Sequence, residues 1–143
     1  MWRNDKLKKF AFSAQEIKED KHVNSYKYVE LNAFKNESFI LLNPENDTGR
    51  RANKLFKKHE VNPKVNFYLD QQVTAYNISC SGLGISFISD TLIKHIDSNP
   101  DLLFYKLSDR ETKRYIYLYR KNNRYLSLAC DKFIQCNQNK NSF

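Results

Sequence analysis

SFILLNPENDTGRRANKLFKKHEVNPKVNFYL, residues 38–69, decides the fold. Its first five residues are an unbroken apolar run, which predicts a short strand covered on both faces. NPENDTG (43–49) is rich in turn-forming residues and reads as a loop. RRANKLFKKHE (50–60) then sets Ala52, Leu55, Phe56 and His59 at helical spacing, with Arg and Lys between them. VNPK (61–64) breaks that helix, and VNFYL (65–69) predicts a second strand. Strand, helix, strand in this order is the parallel crossover unit.

The same alternation continues outward. DQQVTAYNISCSG (70–82) predicts a helix with Val73, Tyr76, Asn77 and Cys80 on one face. GISFIS (84–89) is a third buried strand, and DTLIKHID (90–97) a short helix that Asp90 can cap. Upstream, SAQEIKEDKH (13–22) has Ser13 and Glu16 at capping-box spacing, which predicts a short helix ahead of the extended KYVEL (27–31). Downstream, DLLFYKL (101–107) and RYIYLYRK (114–121) predict two more strands, and YLSLACDKFIQCN (125–137) an amphipathic closing helix. The expected fold is therefore α/β: an open, mostly parallel sheet with helices on both faces. The two strands at 101–121 follow one another with no helix between them, which a single simple sheet does not accommodate.

Gly82 and Gly84 invite a dinucleotide-binding reading, and the order of elements argues against it. A phosphate loop needs its glycines after a strand and before a helix, so that the helix start faces the anion. Here a helix precedes them and a strand follows, and the third glycine of that pattern would fall at Phe87. A helix stop in the left-handed conformation, plus a close approach where Gly84 enters the third strand, explains both residues.

Composition bounds the function. The chain of 143 residues suits one domain, and its 41% hydrophobic and 14% aromatic content fits a packed core. A net charge of +8, from 24 Lys+Arg against 16 Asp+Glu, favours an anionic partner. The basic residues are spread along the chain, so a solvated basic surface also explains the excess. No apolar stretch is long enough to span a membrane, and MWRNDKLKKF carries no apolar export core. Cys80, Cys130 and Cys136 make an odd count with no CxxC pair, which points to reduced thiols in the cytoplasm.

Catalytic patterns are poor. His22, His59 and His95 have no metal-ligand spacing, and His59 lies on an apolar stripe. Cys80 shares a helix face with Val73 and Tyr76 and reads as a small buried hydrophobe. No enzyme, metal or cofactor is expected. Tyrosines interleaved with basic residues in RYIYLYRK could stack on bases, although a core-facing strand explains the same letters.

The ordered set LDQQVTAYNISCSGLGISFISDTLI, DLLFYKL and RYIYLYRKNNRYLSLACDKFI resembles the C-terminal half of LysR-type transcriptional regulators. FILLNPENDTGRRANKLFKKH is similar to that family's strand, ligand loop and helix. The resemblance implies a two-lobed effector-binding domain of the periplasmic-binding-protein-like type II fold. Residues 1–101 would be its second lobe, and 102–143 a crossover strand with a returning first-lobe strand and helix. It also implies a truncated domain, in which DNA contact would belong to a helix-turn-helix absent from this chain. A stand-alone solute-binding receptor lobe and a basic nucleic-acid-binding module are the competing classes.

In such folds ligands sit beyond the carboxyl ends of strands. That singles out Asn43, Asn46, Asp47 and Thr48 after the first strand, and Gln71 and Gln72 after the second. The resemblance places a ligand-facing residue at about Gln72. An ordinary turn with Asp47 or Thr48 as helix cap, and Asp70 as cap of the next helix, explains some of the same residues. Arg50 and Arg51 could steer an anion or simply face solvent, and in the family this helix takes part in dimer contacts. The expected partners are a small, anionic effector and a second copy of the chain, associating through exchange of residues 102–143.

Overall fold

Ser38–Leu42 forms β1, and its residues Phe39, Ile40, Leu41 and Leu42 are all 1–4% exposed. This is the centre of a computed structural model that describes residues 5–109, 112–114, 117, 119, 121 and 125–138. The chain divides into two units, Met1–Lys113 and Arg114–Phe143.

In the first unit β1 is flanked on one side by β2 (Lys64–Leu69) and on the other by β3 (Ile85–Ser86), both parallel to it. The pairing runs from Ser38 against Lys64 to Leu42 against Leu69, with one extra residue, Asn66, bulging from β2. The Asn66 side-chain amide donates to the Leu83 carbonyl at 2.9 Å, which ties the bulge to the turn before β3. The sequence read VNFYL as a strand without distinguishing its position. It lies at the edge, with Phe67 and Tyr68 exposed.

Because successive side chains of a strand point to opposite faces, β1 supplies two cores. Phe39 and Leu41 pack with Ala52, Leu55 and Phe56 of α2 (Asp47–Lys58). Ile40 and Leu42 pack with Ala75 of α3 (Gln72–Cys80). The two crossover helices thus cover opposite faces, as connections running in opposite directions from a sheet require. Phe87 completes the first core, edge-on to Phe56 at 5.6 Å and stacked near Phe39. A phosphate-loop glycine is therefore impossible there.

Gly82 takes φ +75°, the left-handed stop expected after α3. At Gly84 a Cβ would sit 2.8 Å from the Ser38 carbonyl, so the close approach expected on entering β3 is real. The buried face of α3 differs from expectation: Ala75 and Tyr76 are buried, whereas Val73 and Asn77 are exposed. Ala75 serves the sheet and Tyr76 the neighbouring cluster, so the stripe that matters is shifted.

That second cluster joins α1 (Ala14–Lys18), Tyr76 and α4 (Asp90–His95) around the fully buried Ile93. The Ser13–Glu16 capping box closes α1 from both sides: the Glu16 N–H donates to Ser13 Oγ at 3.2 Å, and the Ser13 N–H to Glu16 Oε2 at 2.8 Å. The expected fourth strand, 101–107, pairs only residue by residue, Phe104 antiparallel with Phe12 and Leu107 parallel with Val29. It runs between two N-terminal segments and not along β1.

In the second unit α5 spans Leu128–Gln138, started by a hydrogen bond from the Cys130 N–H to Ser127 Oγ. Leu128, Phe133, Cys130 and Cys136 are exposed on it. The strand expected at 114–121 falls mostly outside the described residues.

Candidate functional site: the tips of three parallel strands

The connections from β1 and β2 leave toward opposite faces of the sheet. Their neighbouring carboxyl ends therefore form a topological switch point, the place where open α/β sheets generally bind their ligands. Asn43 stands at the end of β1 and Asp70 at the end of β2, and the Asn43 amide donates to Asp70 Oδ1 at 2.5 Å. The backbone reinforces this bond, since the Asn43 N–H donates to the Leu69 carbonyl at 2.8 Å.

Asn46 holds the next turn. Its Oδ1 accepts the Thr48 N–H at 2.9 Å, and its side-chain amide reaches the Asp70 carbonyl at 3.3 Å. Asn46 is thus the cap of α2, where the sequence suggested Asp47 or Thr48. The short Asn side chain reaches the second helical amide from a residue still in extended conformation, which is the usual capping geometry. Asp47 instead pairs with Arg50 at 3.1 Å on the exposed side of the first turn. Arg50 is thus a surface residue, whereas Arg51 is half-buried and donates to the Lys113 carbonyl at 2.7 Å.

Gln72 joins all three strand tips. Its Nε2 donates to Thr48 Oγ1 at 2.7 Å, and its Oε1 accepts from Ser89 N at 3.3 Å and from Ser89 Oγ at 3.1 Å. Thr48 follows β1, Gln72 follows β2 and Ser89 follows β3, so one amide fixes the relative heights of the three loops. Ser89, not Asp90, caps α4 through a bond from the Leu92 N–H to Ser89 Oγ at 3.3 Å. Gln71, not Asp70, is the cap residue of α3, and no side-chain hydrogen bond closes that cap. The Gln71 side chain is exposed.

All six expected residues therefore gather at one end of the sheet. Asn46, Thr48 and Gln72 are tied into the scaffold, Asn43 is bonded to Asp70, and Asp47 is paired with Arg50. Gln71 and the uncapped start of α3 face outward as hydrogen-bonding groups.

Gly49 is the residue that sequence reasoning missed. A Cβ there would lie 2.3 Å from both the Leu42 and Asn43 carbonyl oxygens. The first turn of α2 consequently rests on the end of β1 backbone to backbone, which sets Asn43 and Asn46 beside Asp70. A glycine inside a predicted helix's first turn was the available signal.

A separate open groove of about 450 Å³ lies between the last turn of α2 and β2, lined by Phe56, Lys57, Val61, Val65 and Tyr68 among others. It does not include the strand tips. Among the described residues no group of three or more His, Cys, Asp or Glu side chains could hold a metal ion. Among them, too, no helix is long and apolar enough to cross a membrane.

A small parallel sheet with helices on both faces and a switch point crowned by polar side chains defines an α/β fold of the open, crossover-connected kind. The profile of the LysR substrate binding domain matches residues 20–141, and the chain belongs to that family. The family's domains are periplasmic-binding-protein-like and bind the small effectors of LysR-type transcriptional regulators. A comparison with curated proteins finds none that matches this chain.

Proposed function

We propose that the chain is the effector-sensing part of a LysR-type regulator, with Asn43, Asn46, Asp47, Thr48, Gln71 and Gln72 forming one wall of the effector crevice. The observation that carries this reading is the cross-bonding of the three strand tips through Asn43–Asp70 and Thr48–Gln72–Ser89. Residues 1–101 act as the second lobe, and residues 102–143 supply the crossover and elements of the first. The binding is regulatory, not catalytic. An effector shifts the populations of two lobe arrangements by no more than its differential affinity for them.

The effector in this reading is a small anion. The net charge of +8 draws anions toward the molecule, and the uncapped start of α3 at Gln71 offers amide donors. Asp70 opposes this, but its carboxylate is drawn toward Asn43. Titration of the chain with a panel of small mono- and dicarboxylates, followed by backbone amide shifts, tests the proposal. Millimolar perturbation centred on residues 43–48 and 70–73 supports it, and shifts confined to the α2–β2 groove would defeat it.

Self-association belongs to the same reading. β2 is an outer strand of the three-stranded sheet and exposes Phe67 and Tyr68, a surface that suits a second copy of the chain. The setting we propose is cytoplasmic, in keeping with an odd cysteine count.

A further inference from the structure

Lys106 places its ammonium in a cage of backbone carbonyls. Nζ donates to the His22 carbonyl at 2.8 Å, the Val23 carbonyl at 2.9 Å and the Ser25 carbonyl at 3.4 Å. Three acceptors meet the three N–H bonds of an ammonium group. The Tyr28 ring closes the cage from the side, with Nζ 4.8 Å from its centroid.

The backbone around the cage is joined twice. The Val29 N–H donates to the Lys106 carbonyl at 2.9 Å, and the Ser108 N–H to the Val29 carbonyl at 3.3 Å. Phe12 and Phe104 exchange a pair of bonds at 2.8 and 3.0 Å. The incoming segment (12–29) and the outgoing segment (104–108) therefore run side by side, and Lys106 is the side chain that fastens the loop between the two joins.

That loop is also tied to α4. His22 Nε2 lies 3.4 Å from Asp90 Oδ2, and Lys94 Nζ donates to Asp20 Oδ1 at 2.6 Å. Asp90 follows Ser89, which is bonded to Gln72 at the crevice. A continuous set of contacts thus runs from Gln72 through Ser89, Asp90 and His22 to the Lys106 ammonium.

We infer that Lys106 is a positioning residue that pins the two connecting segments into one body and couples that body to the crevice through the 20–25 loop. The pinning follows from the cage alone, and the coupling rests on the crevice reading above. Lysine suits this task because a compact ammonium can satisfy convergent carbonyls, whereas a planar guanidinium spreads its donors apart.

Hydrogen exchange on the full chain, with no effector present, tests the pin. Lys106→Met keeps the stem and removes the charge. The Val29 and Ser108 amides should exchange at least tenfold faster, with β1 amides unchanged. Added ammonium chloride should restore part of the protection, and Lys106→Arg should fall between. Unchanged exchange at Val29 and Ser108 overturns the pin, and so does an equal acceleration in β1, which would mark a general loss of stability. Where Lys106→Met does not fold, the Lys106→Arg comparison decides: wild-type protection at both amides overturns the proposal. Coupling is read by a cycle of Gln72→Ala with Lys106→Arg. Effects on Val29 exchange that multiply independently overturn the coupling and leave the pin standing, and neither result depends on whether the crevice binds an anion.

Discussion

Asn43 and Asp70 stand 27 residues apart in the chain and 2.5 Å apart at the strand tips. The bond spans the one place in this sheet where neighbouring connections diverge. It places the Asp70 carboxylate at the strand tips and gives a direct way to vary the charge preference of the proposed effector site. Asp70→Asn removes that charge while keeping the shape. Carboxylate affinity should rise about three- to tenfold, equivalent to about 1 kcal/mol at the partly screened dielectric of a surface site. Calorimetric titration of both proteins with the same carboxylate checks this, and lower affinity in the variant would contradict an anionic effector.

Two glycine substitutions should separate crowding from backbone strain. Gly49→Ala drives a methyl group into the Leu42 and Asn43 carbonyls and should cost about 1–3 kcal/mol, with loss of binding at the crevice. Gly82→Ala meets nothing within 4 Å but must hold φ +75°, at a cost of about 1–2 kcal/mol and with binding intact. Urea melts give the stabilities, and the same carboxylate titration separates the two effects on binding.

The capping box of α1 predicts an acid-sensitive helix. The Ser13 backbone N–H holds the Glu16 carboxyl below its ordinary value of 4.5. A depressed folded-state pKa stabilises the fold above the unfolded value, and that contribution disappears as pH falls through the folded one. Wild type should therefore lose more stability than Glu16→Gln between about pH 5 and pH 3. Thermal melts across that range measure the difference, which is small because Glu16 lies near the surface.

Tyr68→Lys places a charge on the outer edge of β2, a common way of blocking edge-to-edge association. Sedimentation at high concentration should show the wild type self-associating and the variant shifted toward monomer. Two identical monomeric profiles would remove the β2 edge from consideration.

Much of this architecture was legible before any coordinates. SFILL announced a central strand because nothing but burial on two faces accommodates five consecutive apolar or small residues. Ala52, Leu55 and Phe56 marked the buried face of α2, and Ser13 with Glu16 marked the start of α1. All three patterns are local, set by the period of the element or the reach of one side chain. The caps of α2, α3 and α4 were each assigned one or two residues too late or too early. Asn46, Gln71 and Ser89 hold those positions, and adjacent polar residues compete on nearly equal terms in sequence. DLLFYKL looked like a strand, yet its partners Phe12 and Val29 are set by the path of the N-terminal segments. The Lys106 cage left no trace in sequence, since its acceptors are backbone atoms common to every residue type. The residues at the strand tips could be placed together because strand tips can be located from strand ends, but their division into scaffold and outward-facing groups depends on which amide meets which acceptor.

The bare contact of Gly49 with the end of β1 has a consequence for how a fold of this kind can diversify. The 43–49 turn has little slack: a side chain at Gly49 would push the first turn of α2 away from the Leu42 and Asn43 carbonyls. The corner at Asp70 and Gln71 is exposed and carries no such restriction. Variation in sequence is therefore tolerated more readily at the β2 tip, while the β1 tip changes only by exchanging one small polar residue for another.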